Sequence, residues 1–187
     1  MIAGLVLAGG RSSRFGSEKA AARLGGRSLL EWSLEALRPA CDRLAVSAAE
    51  GTQAAALATK LGLAVLPDDP AHPDGPLAGV SAGLRWAASR GGTHLATLPC
   101  DTPRIPADLV IRLIAEGGEA FAAWARTPAG DHPLCALWSV DLLAPLEASL
   151  ARGHPAVRRF LAEVGGVPVD FHDPGAFANV NTPGDLA

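Results

Sequence analysis

The chain begins with an apolar run, Ile2-Ala-Gly-Leu-Val-Leu7, that breaks at Ala8-Gly9-Gly10 into a small polar loop, Arg11-Ser-Ser-Arg14-Phe-Gly16-Ser-Glu-Lys19. An apolar segment this short suits a buried parallel strand, and two glycines at its end suit a sharp exit from a sheet. Glycines also let backbone N–H groups approach an anion, and the two arginines and the lysine that follow would neutralise it. The spacing is not that of G-x-x-x-x-G-K-[ST], because Ala20 follows Lys19, and it is not G-x-G-x-x-G either. Gly9 and Gly10 are therefore candidates for close backbone approach to a ligand. Arg14 and Lys19 are the candidates for meeting its phosphates, with Arg11 and Arg23 as weaker ones.

Composition narrows the setting. A length of 187 residues fits one domain with a substantial core. Hydrophobic residues make up 49% of the chain, yet no apolar run approaches the roughly 20 residues that cross a bilayer. The N-terminal run is short and has no basic leader, so it reads as a strand and not a signal peptide. Cys41, Cys100 and Cys135 are widely spaced and form no C-x-x-C pair, which fits a reduced, cytoplasmic protein. Net charge is −3 with no long basic stripe, so neither a nucleic acid nor a membrane surface is expected as partner. Two scarcities stand out. Lys19 and Lys60 are the only lysines among 16 Lys and Arg, and Asn179 and Asn181 are the only asparagines. A compact ammonium at position 19 fits among phosphate oxygens where a planar guanidinium does not.

Strand and helix patterns alternate along the chain. Strands are expected at Leu5 to Leu7, Arg43 to Ser47, Leu63 to Leu66, His94 to Leu98, Ala120 to Ala125, Leu134 to Ser139 and Val167 to Phe171. The Ser28-Leu-Leu-Glu31 capping box opens a helix to about Leu37. Further helices are expected over Gly51 to Leu61, Pro76 to Ser89, Pro106 to Ala115, Val140 to Leu150 and Pro155 to Val164, with a last one begun by Thr182-Pro183. A polar turn around Pro128 to Asp131 joins two of the strands. The expectation is a single α/β domain over 1–187, a three-layer α/β/α sandwich with a Rossmann-like, mainly parallel sheet. Such sheets bind ligands beyond the carboxyl ends of their strands, at a switch in strand order.

Several motifs fall just past strand ends. In Pro99-Cys-Asp101-Thr-Pro103 a strand delivers one carboxylate, which either caps a turn or holds Mg²⁺ together with phosphate oxygens and water. Cys100 beside it has no base nearby and reads as packing. Pro67-Asp68-Asp69 and Asp74-Gly75-Pro76 place acids that suit ribose or base N–H groups, with loop capping as the plain alternative. Gly79 and Gly83, one turn apart, leave room on a helix face for a flat ring or a neighbouring backbone. In Asn179-Val-Asn181-Thr-Pro183 an extended chain turns both amides to one face, to position phosphate, complete a metal shell or read a ring edge, unless Asn181 only supports the turn. His132, in Asp131-His-Pro133, either faces a second substrate or ends the preceding turn. His72, His94, His154 and His172 share no metal-ligand spacing.

Together, LAGGRSSRFGSEK at 7–19, LPDD at 66–69, GPLAG at 75–79, PCDTP at 99–103, DHPL at 131–134 and NVNTP at 179–183 resemble the molybdenum cofactor guanylyltransferases of the MobA-like nucleotidyltransferase family. The resemblance spans the whole chain in order. It implies the nucleoside-diphospho-sugar transferase type of fold and transfer of GMP from GTP to molybdenum-molybdopterin with release of pyrophosphate. It further implies nucleotide contacts at Leu7, Ala8, Gly9, Gly10 and Asp68, with Gly79 beside them, and a phosphate contact at Lys19. Mg²⁺ falls to Asp101, and the pterin side to Asn179, Asn181 and His132. Lys19, Arg14 and Asp101 are the implied catalytic set. Where the family often has asparagine at the end of its second strand this chain has Ser47, a shorter donor and acceptor. The expected partners are GTP and molybdenum-molybdopterin, acting on a monomer, with cofactor-delivery proteins or client molybdoenzymes downstream. The alternatives are cytidylyl transfer, another small phosphate acceptor, or a non-catalytic GTP-binding sensor or pterin chaperone.

Overall fold

The computed structural model describes residues 1–9, 18–72, 75–153 and 155–186. Gly10, Arg11, Arg14, Gly16, Asp74 and His154 lie outside the described residues. Seven strands form the main sheet: β1 Ile2–Leu7, β4 Arg43–Ser47, β5 Ala64–Leu66, β6 His94–Pro99, β7 Ala122–Thr127, β8 Gly130–Ser139 and β9 Val167–Asp170. Arg23–Leu24 and Arg27–Ser28, β2 and β3, make a separate antiparallel hairpin. The sheet order is β5-β4-β1-β6-β8-β7-β9, and β8 is antiparallel to both its neighbours while the other pairs are parallel.

Helices α1 Leu29–Leu37, α2 Gln53–Lys60 and α4 Leu109–Gly117 cover one face; α3 Pro76–Ser89, α5 Leu143–Ala151 and α6 Val157–Glu163 cover the other. The period-2 alternation of β1 explains how one strand serves both layers. Val6 packs with Leu30, Leu34 and Leu113 on the first face, while Ala3, Leu5 and Leu7 pack with Leu77, Val80 and Leu84 on the second. Among the described residues no helix is long and apolar enough to cross a membrane.

The capping box forms as expected. Ser28 Oγ accepts from the Glu31 amide at 3.2 Å, and the Glu31 carboxylate accepts from the Ser28 amide at 2.8 Å. Pro76 occupies the first turn of α3. Other expectations shift for identifiable reasons. The β2–β3 hairpin, absent from the sequence reading, turns on Gly25 and Gly26 at φ 57° and 85°, the left-handed pair a tight hairpin needs. The fourth helix starts at Leu109, past a turn at 107–108, so Pro106 precedes it instead of opening it. The helix expected from Val140 begins as a 3₁₀ turn, Val140–Leu142. The closing helix is likewise only a 3₁₀ turn, Pro183–Leu186.

Strand β8 starts at Gly130, so Asp131 and His132 belong to the sheet and not to a turn. Its pairing with β7 jumps from Trp124↔Ala136 to Ala125↔His132. Pro133, which cannot donate to a ladder, falls inside that jump.

Candidate active site at the carboxyl ends of β1 and β6

Strands β1 and β6 lie side by side, but the chain leaves β1 towards β4 and leaves β6 towards β7. Their carboxyl ends therefore diverge and open a crevice, the usual ligand position in such sheets. Backbone hydrogen bonds carry the pairing one residue past the strands: Ala8 N donates to Ser47 O at 2.9 Å, and Cys100 N donates to Leu7 O at 3.0 Å. Leu7, Ala8, Ser47 and the PCDTP segment are thereby fixed to one rim. Gly9 follows directly, and a Cβ built there meets no described residue within 4 Å.

Three distant segments converge here. Lys19 Nζ donates to Asp101 Oδ2 at 3.1 Å and to Asn181 Oδ1 at 3.2 Å. Both charged side chains are largely shielded, at 18% and 22% exposure. An ammonium has three donors, and Asp101 and Asn181 take two of Lys19's among the described residues. Thr102 Oγ1 donates to Asn179 Oδ1 at 2.8 Å, and Val180 N donates to Asp101 O at 2.8 Å. Val180 is buried beside Leu29, whereas both asparagines are exposed, which is the alternation expected of the NVN run. The Asp185 carboxylate accepts from the Asn181 and Thr182 amides, each at 2.8 Å. Those two bonds hold the Asp185 carboxyl below the usual carboxylate range.

On the β4 side, Ser47 is buried and its Oγ lies 3.5 Å from Asp68 Oδ1. The glycines of α3, expected to leave room for a flat ring or a neighbouring backbone, instead meet side chains of the sheet. A Cβ at Gly79 would come within 2.7 Å of Ser47 Oγ and 2.9 Å of Leu7 Cδ2, and one at Gly83 within 2.5 Å of Leu5 Cδ2. These glycines seat α3 on the side chains of the sheet. Gly79 thus binds the helix start to Ser47 and Leu7, while Asp69, also salt-bridged to Arg85, holds the loop after β5.

His132 sits further along the same edge. Its Nε2 is 3.0 Å from Thr127 Oγ1, and its ring stacks on Phe177 with centroids 4.8 Å apart. Burial lowers the His132 pKa, partly opposed by Asp131. No contact joins it to Lys19 or Asp101 among the described residues. Phe177 itself is at φ 62°, an unusual backbone for a bulky residue, and it donates its amide to Arg104 O at 2.9 Å. The strained residue lies in the strap that runs from β9 across the rim to Asn179 and Asn181.

The cysteines take no part. Burial pushes the Cys100 thiol up to about 12, and Cys41 likewise to about 12, so neither supplies a thiolate near neutral pH.

Comparison with known proteins shows the family and agrees with the fold. Residues 4–167 match the MobA-like NTP transferase domain. The chain belongs to that family. A molybdenum cofactor guanylyltransferase of Cereibacter sphaeroides is 46% identical over 185 residues, covering 98% of this chain and 93% of the relative. One from Rhodobacter capsulatus is 42% identical over 187 residues, covering 100% and 93%. The crystal structure of molybdopterin-guanine dinucleotide biosynthesis protein A from Archaeoglobus fulgidus superposes with a TM-score of 0.76 at 25% identity, covering 98% of this chain and 94% of that one.

Among the residues of this rim, Thr102, Asp185 and Phe177 are not singled out by the sequence. Thr102 is visible in the sequence only as a neighbour of Asp101. Asp185 had a faint signal, an acid four residues beyond Asn181 able to cap the turn. Phe177 had none, since its role rests on a backbone conformation that sequence does not announce.

Proposed function

We propose that the protein transfers GMP from GTP to molybdenum-molybdopterin, giving the molybdopterin guanine dinucleotide and pyrophosphate. The observation that carries this reading is the meeting of Lys19, Asp101 and Asn181 at the carboxyl ends of β1 and β6 in a chain of the MobA-like family. Leu7, Ala8, Gly9 and Gly10 bind the nucleotide along the β1 exit, with Ser47, Asp68 and the Gly79 end of α3 on its far side. Lys19 presents its ammonium to the phosphates. Arg14, outside the described residues, is assigned the second cationic role by its place in the motif. Asn179, Asn181 and, along the same rim, His132 face the pterin.

The nucleophile is a terminal phosphate oxygen of molybdopterin, already anionic near neutral pH. It attacks the α-phosphorus of GTP; the new P–O bond forms as the α–β P–O bond breaks, and the bonding electrons leave on pyrophosphate. No general base is needed. The protein contributes alignment and charge neutralisation.

The donor set fits Mg²⁺. Among the described residues no group of three His, Cys, Asp or Glu could hold a metal alone. A single carboxylate, Asp101, next to a phosphate site matches the way Mg²⁺ binds through one or two carboxylates, phosphate oxygens and water. Bound there, the ion would supply charge neutralisation at the phosphates. The reaction is assigned to a monomer in the cytoplasm, with product passing to delivery proteins or molybdoenzymes.

Calorimetry with GTP, CTP, ATP and UTP in Mg²⁺ tests the assignment. GTP is expected to bind in clear preference. Preference for CTP would move the protein to cytidylyl transfer, and a preference for neither would overturn the proposal.

A further inference from the structure

Glu18 immediately precedes Lys19, which poses an electrostatic problem. A free carboxylate there would oppose the binding of a triphosphate. The structure disposes of that charge. The Glu18 carboxylate turns away and accepts hydrogen bonds from the amides of Gln53 and, at 3.3 Å, Ala54, the first two residues of α2. Thr52 Oγ1 accepts from Ala55 N at 3.2 Å and Thr52 O from Ala56 N at 3.0 Å. The four amides at the start of α2 are thus satisfied, two of them by a residue from a distant segment. The positive end of the helix faces the carboxylate.

The same contact fixes the backbone that carries Lys19. Glu18 O accepts from Ala21 N at 3.1 Å, and Lys19 O accepts from Ala22 N at 3.0 Å, closing a 3₁₀ turn. Ala22 O in turn accepts from Leu29 N at 2.9 Å at the start of α1, and Ala20 is buried in the core. Lys19 therefore stands between two anchors, one on α2 through Glu18 and one on α1 through Ala20 and Ala22. Its long side chain reaches Asp101 and Asn181 from this base.

We propose that Glu18 is a positioning residue: its carboxylate, clamped on the first amides of α2, sets the place of the Lys19 ammonium in the crevice. The inference rests on the reading of Lys19 as the phosphate contact. It ties the phosphate side of the site to α2, and α2 follows directly from the Ser47 end of β4. Positioning errors near 1 Å cost on the order of 100-fold in rate, so Glu18→Ala is expected to lower kcat/KM by about that factor. Glu18→Gln keeps an acceptor oxygen and retains most activity.

Coupling to Lys19 separates positioning from simple helix capping. If Glu18 acts through Lys19, the double variant Glu18→Ala/Lys19→Ala is no slower than Lys19→Ala alone; independent effects would multiply. A ligand-free readout comes from the two lysines of the chain. With a heavy-carbon label at lysine Cε, NMR shows one signal for Lys19 and one for Lys60, at the far end of α2. Glu18→Ala is expected to shift the Lys19 signal towards that of a free lysine and leave Lys60 in place, while Glu18→Gln moves neither. Multiplicative effects, an unmoved Lys19 signal, or a Lys60 signal that moves with it would overturn the proposal, the last by showing that α2 itself unravels. Should the wild type fail to transfer GMP, the proposed function falls, and the lysine signals still decide the role of Glu18.

Discussion

Asp101 and Lys19 are 82 positions apart in sequence and 3.1 Å apart at the site, so each is a sensitive probe of the other. Asp101→Ala should abolish GMP transfer while GTP binding, measured by calorimetry, survives in part, because the β1 exit and the Ser47 rim remain. Lys19→Arg keeps the charge but replaces a point ammonium with a planar fork that cannot meet Asp101 and Asn181 at the same distances. We expect kcat to fall by on the order of 100-fold; near-normal kcat would show that only charge matters at position 19. His132 gives a pH-dependent prediction. Its folded pKa is lowered from the ordinary 6.5 by burial. The unfolded chain therefore binds more protons in that range, and stability rises with pH there. The contribution is present above about 6.5 and is lost as pH falls towards the folded value. Between pH 7.5 and 5.5 (roughly, the ordinary histidine range) the wild type should lose more Tm than His132→Gln.

The strap after β9 is the element that most distinguishes the structure from what the sequence foretells. Its anchors are Phe177 stacked on His132, Phe171 set edge-on to Phe177, and Val180 buried by Leu29. Phe177→Ala should cost about 3–5 kcal/mol in urea unfolding, as for other large-to-small core changes. At ordinary backbone angles Gly is less stable than Ala by about 0.4–1 kcal/mol. At φ 62° the order should reverse, making Phe177→Gly more stable than Phe177→Ala. The reverse ranking would remove backbone strain from the description. On the opposite rim, Gly79→Val should push Ser47 and Leu7 aside, cost about 1–3 kcal/mol by overpacking, and weaken nucleotide binding. The α3 glycines were legible as a close approach. Which partner filled the space was not, because the answer depends on side chains of β1 and β4 that only the folded sheet brings beneath the helix.

At the scale of the whole molecule, periodicity and caps made the alternation of strands and helices readable, and with it the three-layer architecture. The order of the strands was not readable. The turn at Pro128 to Asp131 announces that β7 and β8 pair antiparallel, but nothing local says that β8 inserts between β6 and β7 or that its pairing jumps around Pro133. Of the site, Lys19, Asp101, Asn179 and Asn181 stood out through rarity and position after apolar runs. Glu18, Thr102 and Asp185 act by holding those groups, and such support is visible only in three dimensions. The sheet is what makes the arrangement possible: parallel neighbours β4, β1 and β6 bring three loops to one edge, and the strap closes that edge with its two amides. The most direct test of the central claim follows label from GTP radiolabelled at the α-phosphorus, mixed with molybdenum-molybdopterin, Mg²⁺ and the purified protein. The expected result is label in a pterin dinucleotide, matched by released pyrophosphate and lost in Asp101→Ala. GTP bound by the wild type with no label transferred would contradict it.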